Sequence, residues 1–114
     1  MTTHTTIAAM NDQFRAQGAT SHLQGCMFMT AGIAALPALT QAGILAKVQT
    51  FDAFTEDNDP HGEHDFGAFD VDGAGRIFWK VDYYADADMS AGSEDPADPA
   101  RCFRVLTVML AVEY

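Results

Sequence analysis

Residues 66–84, FGAFDVDGAGRIFWKVDYY, read as two strands joined at glycines. A strand sends alternate side chains to opposite faces, so the pairing can be argued from which residues belong together. A three-residue loop Gly73-Ala74-Gly75 pairs Asp72 with Arg76, Val71 with Ile77 and Phe69 with Trp79. It gathers Phe69, Val71, Ile77, Trp79, Val81 and Tyr83 on one face. A two-residue loop mixes that set with charges on both faces. The three-residue loop is therefore expected, with glycine free to take the left-handed position. The opposite face then carries Phe66, Asp70, Asp72, Arg76, Phe78, Lys80, Asp82 and Tyr84.

Upstream, Ile7, Met10 and Phe14 recur three and four apart behind Thr5-Thr6, which predicts a short capped helix ending before Gly18. GCMFMT (25–30) reads as a buried strand, and Gly32 to Pro37 as a turn. A second helix follows, with Leu39, Ile44, Leu45, Val48 and Phe51 as its apolar stripe. Gly43 inside it costs on the order of 1 kcal/mol relative to alanine, which suggests close packing there. Downstream, residues 85–98 are small and acidic and predict an exposed loop, and Asp98-Pro99 is a helix start. ARCFRVLTVMLAVEY (100–114) is apolar on most sides. It predicts a closing helix, with its valines leaving a strand as the alternative. The expected fold is α+β: one domain over 1–114, with a small antiparallel sheet of one strand plus a hairpin, packed with about three helices.

The chain has 114 residues, 48% of them hydrophobic, enough for a single core without staples. Cys26 and Cys102 sit among apolar neighbours with no CxxC spacing, as reduced core thiols do. No apolar run approaches the roughly 18 residues a membrane span needs, and no targeting signal is read, so the cytoplasm is the expected location. The net charge is −10. Between Asp52 and Asp98 there are fourteen acids and two bases, whereas the two end segments carry a small positive excess. Such a field repels nucleic acid and anionic membranes and attracts basic protein surfaces and cations. Direct nucleic-acid and membrane binding are thereby set aside.

Beside the hairpin lies DNDPHGEHDFG (57–67). Read as a calcium loop, it has a histidine at the fifth position and Ala68 at the twelfth, where a bidentate glutamate is needed. A transition metal fits better. His61, Glu63 and Asp65 alternate along an extended chain, so His61, Glu63, His64 and Asp65 are the candidate ligands for a divalent metal. Against this, Gly62 disfavours the helical turn that would bring His61 and His64 together, and there is no HExxH. A His–Asp pair can activate water, but no GxSxG, paired Cys–His or phosphate-cradling glycine loop accompanies it, so no catalytic residue is assigned. Equally, Asp57, Asn58 and Asp59 can bond the backbone of their own turn while Pro60 fixes it. The motif then acts as a braced lead-in to the hairpin.

TAGIAALP (30–37), DNDPHGEHDFGAF (57–69), IFWKVDYY (77–84), DPADP (95–99) and RVLTVMLAVEY (104–114) together carry a family resemblance. From about Thr5 to Tyr114 the chain resembles domain-of-unknown-function family 3768, least typically around Gln24-Gly25-Cys26-Met27. The resemblance implies a free-standing bacterial protein, often associated with plasmids and other mobile elements. It implies no activity, cofactor or catalytic residue.

Charge and hairpin combine into one functional expectation. Asp70, Asp72 and Asp82, with Asp86 and Asp88 in the acidic loop, offer phosphate-like charge to a basic protein groove. Phe78 and Tyr84 supply aromatic anchors. An acidic protein-interaction module of this kind suggests an inhibitor or DNA mimic of a nucleic-acid-binding defence effector, anti-CRISPR-like in role. The alternative is a metal-binding or metal-dependent hydrolase-type protein centred on DNDPHGEHDFG. A third expectation is a homodimer through exposed aromatics.

Overall fold

A computed structural model describes residues 3–19 and 22–114. The elements run α1 (Thr3–Gln17), β1 (Gln24–Met29), α2 (Ala31–Ala34), α3 (Ala38–Thr50), β2 (Phe66–Val71), β3 (Gly75–Tyr84) and β4 (Phe103–Leu110). Single 3-10 turns lie at Pro99–Arg101 and Ala111–Glu113. The fold is α+β. Its four-stranded sheet has the order β1-β4-β3-β2, with β1 parallel to β4 and the other pairs antiparallel.

Two expectations are corrected by this topology. The sheet is mixed, not antiparallel, and the expected closing helix is the central strand β4. The physical reason lies in residues 103–110. Val105 and Met109 are buried on one face of the sheet, and Leu106 and Val108 on the other. A strand covered on both sides reads as a continuous apolar run and has no alternation to reveal it. The β-branched Val105, Thr107 and Val108 suit that pleated surface.

The hairpin has a three-residue loop, but it is Asp72-Gly73-Ala74. Phe69 faces Ile77, Asp70 faces Arg76 and Val71 faces Gly75, two residues away from the expected pairing. An even slip leaves every side chain on its predicted face. Ile77, Trp79 and Val81 are buried, with Phe69, Val71 and Tyr83 packed around them. Gly73 and Gly75 have φ of 83° and 84°, so the second glycine opens β3 in the left-handed region and does not close the loop. The slip also places Gly67 opposite Trp79. A Cβ there would lie 2.3 Å from the indole Nε1, so only glycine lets the indole pack against this strand.

α1 and α3 cover the Trp79 face: Met10, Phe14, Ile44 and Val48 join Ile77, Trp79, Val81, Leu106 and Val108 in one cluster. Leu39, expected in the stripe of α3, is 89% exposed, and the missing Cβ of Gly43 would meet open space. β1, expected as a buried strand, is an edge strand with Met27, Phe28 and Met29 exposed. Cys26 and Cys102 are both free thiols, and burial pushes that of Cys102 up. No described helix is long and apolar enough to cross a membrane.

Candidate functional site

The motif loop begins with a turn that closes on itself. The Asn58 carboxamide accepts from the Thr55 N–H at 2.8 Å and donates to the Ala53 carbonyl at 2.9 Å, and the Asp59 N–H donates to the Thr55 carbonyl. Asp59 is nearly buried, and its carboxylate accepts the His64 N–H at 3.2 Å. Gly62 and His64 both take positive φ, 66° and 55°. These two left-handed residues interrupt the extended alternation that was to bring His61, Glu63 and Asp65 to one side. At His64 that conformation costs roughly 1–2 kcal/mol, because its Cβ crowds the backbone. Asp59, Asp12 and a parallel stack on Phe54, with centroids 3.9 Å apart, hold it there.

The four candidate ligands consequently go separate ways. His61 is exposed and stacks loosely on His4, at 6.5 Å. The Glu63 carboxylate meets His4 at 2.7 Å and accepts from the Tyr83 hydroxyl at 3.3 Å. His64 directs Nδ1 to Asp12 at 2.9 Å. Asp65 is half-buried, and its backbone carbonyl accepts the Val81 N–H at 2.8 Å. Burial pushes the Asp65 carboxyl up, and Glu63 and Asp59 push it further the same way. Among the described residues, no group of three or more His, Cys, Asp or Glu side chains is placed to hold a metal ion.

The partners of the motif are supplied by α1, some fifty positions upstream. Asn11 is fully buried. Its carboxamide donates to the Glu63 carbonyl at 3.0 Å and to the Tyr83 hydroxyl at 2.8 Å, and accepts from Arg104 Nε at 2.8 Å. Arg104, also fully buried, donates through Nη2 to the Pro96 carbonyl at 2.7 Å and lies over the Tyr83 ring. Arg15 donates to the carbonyls of Val48 and Phe51 and to Asp12, and its guanidinium sits 4.5 Å from the centre of the Trp79 ring. Tyr83 is held protonated far into the alkaline range, chiefly by burial. The region is a continuous polar brace tying α1, the motif loop and the sheet together.

The hairpin residues form a different surface. On the sheet face away from α1 and α3, Phe66, Phe78 and Tyr114 make a three-ring cluster, with centroids 5.2–6.0 Å apart. Tyr84 is half-buried farther along β3. Phe28 of β1 belongs to the same face by register and is 48% exposed. Tyr114 is held by Glu113, whose carboxylate accepts from Thr30 Oγ1 at 2.6 Å and from the N–H groups of Gly32 and Leu110 at 2.9 Å. Those bonds hold the Glu113 carboxyl below its usual range. The acids flank these rings. Asp70 pairs with Arg76 at 3.0 Å and Asp82 with Lys80 at 2.9 Å, while Asp72, Asp86 and Asp88 are exposed and form no ion pair among the described residues. Asp82 lies six residues along β3 from Arg76, roughly 20 Å. The acids therefore stand at two ends of an aromatic patch and do not run in a single row.

Sequence reasoning missed Asn11, Asp12 and Arg104 in the brace, and Tyr114 and Phe28 on the open face. Asn11 and Arg15 recur with Ile7, Ala8 and Phe14 on the buried side of α1, and that periodicity was a usable signal. Arg104 carried none, because its strand was read as a helix.

A family model described as "Protein of unknown function (DUF3768)" matches residues 29–113, most of the chain, and the chain belongs to that family. The match begins at Met29, so α1 and nearly all of β1 precede it, although the resemblance was expected from about Thr5. No curated protein and no solved structure matches the chain.

Proposed function

We propose that this protein is a small acidic protein-interaction module that docks on a basic surface of a partner through its open sheet face. Phe78 and Tyr84 act as aromatic anchors, and Asp72, Asp82, Asp86 and Asp88 form a charged rim. The observation that carries this reading is the sorting of charge. Of the six bases, Arg15 and Arg104 are buried, Arg76, Lys80 and Arg101 each pair with an acid, and Lys47 is exposed over the Phe69 ring, on the other side of the sheet from Phe78. Asp52, Glu56, Asp57, Asp72, Asp86 and Asp88 are exposed and form no ion pair among the described residues. A surface sorted in this way steers a cationic partner from a distance, and half-buried aromatics supply the short-range contact. A nucleic-acid-binding effector has the basic groove that such a surface fits. An inhibitor acting as a DNA mimic, anti-CRISPR-like, is the finer form of the proposal.

The test is affinity capture from a host lysate at low and high salt, using the wild type and an Asp72→Lys/Asp86→Lys/Asp88→Lys variant. A partner retained at low salt, lost at high salt and lost with the variant is expected. Retention indifferent to the three reversals would overturn the reading. For the inhibitor form, the captured partner's nucleic-acid binding should fall as the module is added.

A further inference from the structure

The outer edge of β1 is accounted for by neither the brace nor the acidic face. The strand pairs with β4 on one side and with no strand on the other among the described residues. The Thr30 N–H donates to the Val108 carbonyl at 3.1 Å. By alternation, Thr30, Phe28 and Cys26 direct their backbone groups to β4, and Gly25, Met27 and Met29 direct theirs outward. Met27 and Met29 are 45% and 36% exposed. Natural sheets blunt free edges with charge, proline or bulges. The far edge, β2, carries Asp70 in an ion pair, but no residue from Gln24 to Met29 is charged. Beside Met27, between β1, α3 and the end of α1, lies a cavity of about 410 Å³ lined in part by Phe14, Leu45, Val48 and Leu106, with no acid in its walls.

We propose that β1 pairs antiparallel with β1 of a second copy of this chain, about a two-fold axis through Met27, giving a continuous eight-stranded sheet. Two features fix the occupant and the register. Hydrogen-bonded pairs require outward-directed residues on both strands, and the longest such overlap sets Met27 against Met27 and Gly25 against Met29. Met29 then lies across from Gly25, where the Phe14 ring fills the place of a side chain, so an apolar side chain meets an apolar surface. Residues directly opposite share a face, so the second copy's Met27 and Met29 fall on the helix side, where the cavity is. The charge agrees. β2, the acid-bearing edge, is three strand spacings from β1, roughly 14 Å. A basic partner finds nothing complementary on β1, whereas a second copy meets it neutral edge to neutral edge. Each copy's acidic outer face stays open, so the proposal stands or falls independently of the partner.

Light scattering across a dilution series tests it on the full chain. The expected mass is twice 12.3 kDa, with dissociation roughly tenfold or more easier in Met27→Lys, which sets two like charges face to face on the axis. Met27 is exposed in the single chain, so the variant should keep the wild-type circular dichroism, while its melting temperature should lose the wild type's dependence on protein concentration. A second variant checks the register. Phe28→Cys places its new thiol opposite the second copy's Cys26, in a non-hydrogen-bonded pair with Cα atoms about 4.5 Å apart, within disulfide reach. Oxidation should yield a covalent dimer that Cys26→Ser abolishes. A monomer at every concentration, a dimer untouched by Met27→Lys, or no Cys26-dependent covalent dimer overturns the proposal.

Discussion

Asn11→Ala tests whether the motif loop is a brace. The carboxamide has no exposure and serves three partners: the Glu63 carbonyl, the Tyr83 hydroxyl and Arg104 Nε. Truncation does not affect them equally. Tyr83 keeps its bond to the Glu63 carboxylate, and the Glu63 carbonyl belongs to a half-buried residue, so together these cost about 1 kcal/mol. Arg104 is the expensive one. Its Nη1 already has no partner among the described residues, and losing the Asn11 contact leaves a buried cation with one carbonyl, a sulfur 3.9 Å away and the face of the Tyr83 ring. An orphaned charged donor costs roughly 2–3 kcal/mol. The sum is about 3–4 kcal/mol, a large part of the 5–15 kcal/mol that holds a domain this size folded. With a urea slope of about 2 kcal/mol/M, the unfolding midpoint should fall by roughly 1.5–2 M. Gln13→Ala on the same helix, which loses only a 3.5 Å bond to Gln17, should cost under about 0.5 kcal/mol. Combined with Arg104→Met, Asn11→Ala should show a coupling of about 1–3 kcal/mol. A loss below about 1 kcal/mol, or strict additivity, would refute the reasoning.

Gly67→Ala should destabilise by about 2–4 kcal/mol in chemical denaturation, because its Cβ would enter a fully buried indole that cannot move aside; a neutral result would mean Trp79 packs elsewhere. Asp65→Asn should raise Tm at neutral pH. The folded carboxyl is pushed up, so ionisation opposes folding once pH rises through the folded pKa, and the gain should vanish below the ordinary value of 3.8, where both states are protonated. Glu113→Gln should lower Tm at neutral pH and release Tyr114, visible as lost ring-current shifts at Phe66 and Phe78. The Glu113 carboxyl is held low, so its contribution is present above the ordinary value of 4.5 and is lost as pH falls through the folded pKa; the gap between wild type and variant should therefore close at acid pH.

The hairpin was legible because one face of it is buried. Alternation fixes parity, and parity survives a slip of two, so Ile77, Trp79 and Val81 were assigned to the core although each partner was wrong. Register depended on the left-handed Gly75, which composition cannot distinguish from a loop glycine. β4 failed for the opposite reason. Buried on both faces, it offers no periodicity of either kind, and only its β-branched residues argued for a strand. The motif was legible as a turn, since Asn58 and Asp59 bond within a few residues of themselves. Its longer bonds were not, because His4, Asn11 and Asp12 lie more than fifty positions away and no local rule connects them.

Two of the six bases lie buried against the sheet, at an effective cost of several kcal/mol per desolvated ion. Arg15 recovers part of it from Asp12, two carbonyls and the Trp79 ring, and Arg104 from Asn11, Pro96 and Tyr83. Both therefore make their contacts inside the brace, and neither is available to screen the acids outside. Of the remaining sheet cations, Arg76 stands directly across from Asp70, and Lys80 lies two residues along β3 from Asp82. A basic partner approaching the Phe78 face would thus compete with Arg76 for Asp70 and with Lys80 for Asp82, but would meet Asp72, Asp86 and Asp88 unopposed. Exchange at exposed pairs involves little energy, about 0–1 kcal/mol each. The three unpaired aspartates should accordingly dominate the salt dependence of binding, and Asp70 and Asp82 should contribute mainly to orientation.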